Sequence, residues 1–178
     1  MIITISGTAG SGKSTLARIL AKRLGYPHLN AGQIFREAAI KRRMALPEFG
    51  AYVNQHPEID QKLDATLIER ARRLPSAIIE GRLAGWMTKR MEVPAFRIWI
   101  TAREGTRVNR LMEREGENHA ETLRLLRERS AREREQYRRV YGLDLSDLSP
   151  YDLIIKTDDL KPEQIVRLIL TALGSQDK

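Results

Sequence analysis

Eight residues near the N-terminus, Gly7-Thr8-Ala9-Gly10-Ser11-Gly12-Lys13-Ser14, fit the pattern GxxxxGKS. Glycines at these spacings let the backbone curl until successive N–H groups converge on an anion, and the start of a following helix adds partial positive charge. A lysine in this place reaches the β- and γ-phosphates of a nucleoside triphosphate, and the hydroxyl after it serves Mg²⁺. Gly7, Thr8, Ala9, Gly10, Ser11, Gly12, Lys13, Ser14 and Thr15 are therefore the expected triphosphate-binding residues. Lys13 is expected to be catalytic, with Ser14 on the metal side, Mg²⁺ as cofactor and ATP as co-substrate.

Two further segments follow short apolar runs, where open α/β sheets place their ligands. In Asn30-Ala31-Gly32-Gln33-Ile34-Phe35-Arg36, Gly32 permits close approach at a helix start and Arg36 lies one turn on, placed to fork a second phosphate. In Ile79-Glu80-Gly81-Arg82, a carboxylate and a guanidinium flank Gly81. Glu80 suits an outer-shell role on the waters of Mg²⁺, and Arg82 a contact to substrate phosphate or base. An amphipathic helix and a buried ion pair would use the same residue types, but beside a phosphate loop the two segments favour an anionic acceptor. His28, His56 and His119 stand far apart with no partner at ligand spacing and read as surface or core filler. No NKxD-type motif follows a strand, since the relevant segments end in Thr101-Ala102-Arg103 and Lys156-Thr157-Asp158, which argues against a switch GTPase.

Strands and helices must hold these groups. Residues 2–6 (IITIS) are β-branched and apolar without alternation, as in a strand buried on both faces. Leu16, Ile19, Leu20 and Leu24 then recur at helical spacing, with Gly25 at the helix end. Residues 27–30 predict a second strand, 32–44 a helix, and 46–73 two helices broken near His56-Pro57. Strands follow at 76–80, 96–101 (with Trp99 in the core) and 152–156. A charged helical stretch over 104–140 is interrupted near Gly116, an amphipathic helix spans 162–173, and 174–178 reads as a frayed end. This alternation predicts an α/β fold with a parallel sheet, in one unit without repeats or linkers.

The chain has 178 residues, 42% apolar and 30% charged, enough for one globular domain with a sizeable core. It contains no cysteine, which excludes a disulfide scaffold, a thiolate-held metal and thiol catalysis. No run approaches the ~18 apolar residues of a membrane span, and no signal-peptide pattern opens the chain, so a cytoplasmic location is expected. The net charge of +8 fits anionic partners, whether small phosphates or nucleic acid. Between Arg103 and Arg139 stand eleven Arg and no Lys against eight Glu, which suits a salt-bridged helix face from which some guanidinium groups can clamp phosphate. Aromatics are only 6% and no stacking or groove-reading pattern is present, which disfavours an RNA-associated switch.

The phosphate loop, NAGQIFR (Asn30–Arg36), EGRLAGW (Glu80–Trp86), RERSARERE (Arg127–Glu135) and YGLDLSDLSPYDLIIKT (Tyr141–Thr157) together resemble the nucleoside monophosphate kinases, and in particular the short, archaeal-type cytidylate kinases. The resemblance runs over essentially the whole chain. It implies a five-stranded parallel sheet sandwiched by helices, with a core of residues 1–30, 76–106 and 141–178. It also implies a helical acceptor-binding arm near 31–75 and a short lid near 107–140. The implied reaction passes the ATP γ-phosphate to CMP or dCMP, with no membrane or nucleic-acid partner and a monomeric enzyme. Gly32, Arg36, Gly81 and Arg82 would bind the acceptor, Ser14 and Glu80 the metal, and Arg129 and Arg132 would close the lid that Arg107 and Arg110 open. Trp86 would line the acceptor site or pack in the core. Bacterial-type relatives carry Asp where this chain has Leu83, and Asp and Arg where it has Glu133 and Gln136; Arg138 or Arg139 is available in place of the missing cation. No motif selects the base, so AMP, UMP or a small metabolite remain alternative acceptors.

Overall fold

In the computed structural model, which describes residues 1–116 and 118–174, the six residues of β1 (Ile2–Gly7) are buried along their whole length. Their lack of alternation has this cause: both faces of β1 are covered. It pairs in parallel with β3 (Ala77–Glu80) on one side and β4 (Ala95–Thr101) on the other. β2 (His28–Asn30) and β5 (Leu153–Lys156) add the edges, giving the order β2-β3-β1-β4-β5. The connections run leftward from β1 and then rightward past it. The reversal falls at β1, and such a switch point opens a crevice at the carboxyl ends of the strands. The phosphate loop, Glu80 and Asn30 all lie at those ends.

Helices cover both faces. On one, α1 (Lys13–Leu24) and α8 (Pro162–Gly174) bury Leu16, Leu20, Ile165 and Ile169 against Ile3, Ile5, Ile98 and Ile100. On the other, α4 (Pro57–Arg72) and α5 (Ala84–Arg90) bury Leu67, Ile68 and Met87 against Ile2, Ala77 and Ile79. Helices α2 (Ala31–Lys41) and α3 (Leu46–Gln55) join α4 around a separate small core of Ala39, Phe49 and Val53, with the Phe35 and Phe49 rings 4.8 Å apart. Helices α6 (Glu104–Glu115) and α7 (His119–Tyr141) form a pair whose Val108, Leu111 and Leu126 pack on Ala9 of the phosphate loop.

The elements fall close to those expected, with three differences. Helix α2 stops at Lys41 instead of reaching Met44, because Arg43 turns to a positive φ of 56° that no helix accommodates. Helix α5 has no counterpart in the sequence pattern, since seven residues give too few turns for an apolar period to show. The stretch 174–178 falls mostly outside the described residues, and Gly174 itself closes α8. Trp99 is buried on β4, where it meets Tyr151 with ring centroids 5.1 Å apart. Among the described residues no helix is long and apolar enough to cross a membrane.

Candidate active site

The phosphate loop joins β1 to α1 through backbone conformations that side chains rarely tolerate. Gly7 has φ +149°, with the Ile100 carbonyl where a Cβ would stand, and Gly10 has φ +76° against the Arg107 backbone. Ser11 is buried, and its hydroxyl donates to the Thr8 carbonyl at 2.8 Å. The Thr157 hydroxyl, just past β5, donates to the Ser11 carbonyl at 3.1 Å and fixes the loop from behind. Ala9 faces the α6–α7 core, and Thr8 keeps its own hydroxyl buried without a hydrogen-bond partner. Gly12 precedes α1, and Ser14 and Thr15 stand exposed on its first turn.

Lys13 folds back so that Nζ donates to the Thr8 carbonyl at 2.6 Å. Burial, joined by the charges of Arg82, Arg129 and Arg107 and opposed by Glu80, pulls its pKa down to about 7. A lysine so poised beside three guanidinium groups marks a basin built for a polyanion, which would restore its charge.

Glu80 ends β3 and is buried at 6% exposure. Its Oε1 accepts from the Ser14 hydroxyl at 2.5 Å, and its Oε2 meets His28 Nε2 at 3.0 Å and the Asn30 carboxamide. Burial raises its pKa most strongly among single influences, yet the hydrogen bonds from His28 and Ser14 and the charges of His28 and Lys13 together leave it lowered. Ser14 and Glu80 thus present a hydroxyl and an ionised carboxylate side by side at the mouth of the loop. Hard oxygens of this kind fit Mg²⁺, though two are too few to hold the ion without triphosphate oxygens and water. His28, expected as filler, and Asn30, not expected to touch Glu80, come to it only because β2 lies beside β3, with Asn30 in register with Glu80.

Beyond β2, Gly32 sits exposed in the first turn of α2, and Arg36 Nη1 lies 3.4 Å from where a Gly32 Cβ would be. Gly81 packs near Ala31, so β3 and α2 meet at this point. Arg82 is paired with Glu133 of α7, and Arg129 reaches the same Glu133 oxygen at 3.1 Å. Two guanidinium groups from distant parts of the chain therefore converge on one carboxylate beside Lys13. Arg132 lies exposed on α7, near enough to Arg129 for their charges to interact. Arg107 reaches the Ala9 carbonyl at 3.5 Å. Arg110 bolts α6 down, donating to the Thr157 hydroxyl at 3.0 Å and carbonyl at 2.7 Å and to the Ser11 carbonyl at 3.3 Å. Further along α7, Gln136 donates to Asp60 at 2.6 Å, the Tyr141 hydroxyl to Asp64 at 2.5 Å and Arg139 to the Asn54 carbonyl at 2.8 Å. Trp86 packs at the margin of the α4–α5 core with its indole N–H buried and unpaired.

A phosphate loop at the switch point of a five-stranded parallel sheet, flanked by converging arginines and a buried carboxylate, defines a P-loop phosphotransferase. The chain belongs to the cytidylate kinase-like family, whose model matches residues 2–159. The cytidylate kinase of Pyrococcus abyssi is 43% identical to it over 97% of this chain and 93% of its own length. Among solved structures, an uncharacterized protein from Eubacterium ventriosum superposes with a TM-score of 0.73 at 20% identity, covering 98% of this chain and 99% of that one. A shikimate kinase from Bacteroides thetaiotaomicron does so with a TM-score of 0.63 at 16% identity, covering 98% of each. At such identities the structural likeness bears on the fold.

Proposed function

We propose that this chain transfers the γ-phosphate of ATP to CMP or dCMP, giving ADP and CDP or dCDP. The observation that supports the reading is the meeting of Arg82 and Arg129 beside Lys13, where an acceptor phosphate would compete with Glu133 for the two guanidinium groups. The family relationship supports cytidine as the nucleoside.

The acceptor's phosphate oxygen is already anionic at neutral pH, so the transfer needs no general base. That oxygen forms the new bond to the γ-phosphorus as the bond to the β,γ-bridging oxygen breaks, and ADP departs with the electron pair. The chain's work is positioning and charge neutralisation. Loop N–H groups of residues 7–15 would cradle the triphosphate while Lys13 spans its β- and γ-phosphates. Ser14 and Glu80 would hold Mg²⁺, directly and through water, and the ion would neutralise β- and γ-oxygens. Gly32, Arg36, Gly81 and Arg82 would seat the acceptor against α2, within an arm of residues 31–75. Arg129 and Arg132 would come over the transferring group from a lid of residues 107–140, excluding the water that otherwise hydrolyses ATP. The enzyme so proposed is a monomer acting on small nucleotides in the cytoplasm.

The test is ADP release from Mg·ATP with CMP, dCMP, UMP, AMP or GMP supplied singly. Strong stimulation by CMP or dCMP is expected. Stimulation by another monophosphate alone would keep the transfer and discard cytosine, and slow release indifferent to all five would sink the reading.

A further inference from the structure

The two oxygens of Glu80 have separate duties. Oε1 faces the loop and takes the Ser14 hydroxyl, while Oε2 turns to β2 and takes His28 Nε2 and the Asn30 carboxamide. His28 and Asn30 are two apart on a strand and so share one face, which explains how both reach the same oxygen. Asn30 has a second attachment. It is the N-cap of α2, and its Oδ1 accepts from the Gln33 N–H at 3.0 Å. A single carboxamide therefore joins the buried carboxylate of the phosphate-loop side to the first turn of the helix that carries Gly32 and Arg36.

We propose that Asn30 is a positioning residue that ties Glu80 to the start of α2, with His28 holding the same Glu80 oxygen, so that metal·nucleotide binding and acceptor binding are coupled. The inference rests on the reading of Glu80 as the metal-side carboxylate. The terminal torsion of a glutamate is broad, and an unpinned carboxylate turns freely. Two donors on Oε2 remove that freedom and leave Oε1 directed at Ser14, as outer partners do for metal-side groups generally. Because Asn30 has both its ends engaged, any displacement of α2 on acceptor binding pulls on the pin. By linkage the effect is reciprocal: acceptor tightens metal·nucleotide as much as metal·nucleotide tightens acceptor.

The experiment measures Mn²⁺ affinity of the protein with ADP, by electron paramagnetic resonance titration, and CMP affinity with and without Mn·ADP. Asn30→Ser keeps an oxygen able to cap α2 but is too short to reach Glu80. It is expected to weaken Mn²⁺ about tenfold, to leave CMP binding alone near the wild-type value, and to bring the CMP ratio with and without Mn·ADP close to one. Asn30→Ala removes the cap as well and should also weaken CMP by itself. His28→Leu should weaken Mn²⁺ similarly, and His28→Gln, which restores a donor, should recover most of it. Should an Asn30 variant fail to fold, the His28 pair still decides whether the pinning of Oε2 serves the metal. Wild-type Mn²⁺ affinity in Asn30→Ser and His28→Leu would overturn the inference, as would an equal loss in His28→Leu and His28→Gln. Mn²⁺·ADP binding by the wild type without CMP-stimulated ADP release would sink the kinase reading instead and leave the pinning of Glu80 standing.

Discussion

Asp64 offers a quantitative test of how α4 and α7 are joined. It lies one turn after Asp60 on α4, and the two carboxylates face α7, where neutral donors meet them: Gln136 for Asp60 and the Tyr141 hydroxyl for Asp64. Among the described residues no cation pairs with either. Burial, augmented by the charge of Asp60 and opposed by the Tyr141 hydrogen bond, pushes Asp64 from its ordinary 3.8 up to about 7. Between those values the folded chain keeps a proton that the unfolded chain has released, so stability falls as pH rises through this window. About three units at ~1.4 kcal/mol each is a cost of about 4 kcal/mol once the window is passed. Asp64→Asn keeps the shape and an acceptor for Tyr141 but cannot ionise. Measured by urea denaturation, its stability gain over wild type should be about 1.5 kcal/mol at pH 5 and grow to about 4 kcal/mol at pH 8.5, a large fraction of a typical 5–15 kcal/mol. A gain that does not change with pH, or a loss at pH 8.5, would refute the reasoning.

The functional residues make further predictions. With Lys13 near 7 in the empty site through burial and its arginine neighbours, triphosphate binding at pH 8 should take up close to one proton. The calorimetric heat should then vary with the ionisation enthalpy of the buffer, and Lys13→Met should abolish the variation; binding without proton uptake would contradict it. Arg36→Ala should raise the CMP KM more than the ATP KM in steady-state kinetics, and the reverse order would remove Arg36 from the acceptor side. Arg129→Ala should lower kcat tenfold or more while ATP still binds, whereas unchanged kinetics would leave that guanidinium to its ion pair with Glu133.

What the sequence determined by itself are the features written in consecutive residues. The phosphate loop needs glycines at fixed offsets because particular positions must adopt positive φ, and β1 is rich in isoleucine, broken only by the small polar Thr4 and Ser6, because both its faces are covered. The helices of 46–55 and 57–72 and the break at His56-Pro57 were legible for the same local reason. Glu80 and Arg82 could be singled out by their place after a strand, but their partners could not. His28 and Asn30 reach Glu80 across about fifty residues of sequence, and Glu133 reaches Arg82, in the turn between β3 and α5, from α7. The face α7 would turn to α4, and with it the partial burial of Asp60 and Asp64, had no trace in a helix where arginine and glutamate fill about half the positions. Arg110, one arginine among many, became a bolt between α6 and Thr157 only through the meeting of β5 with the loop. Local backbone demands leave a mark on residue type and spacing. A pairing between distant side chains leaves none, because Glu, Arg and His suit a solvated surface as well as a buried contact, and only the sheet order decides which they become.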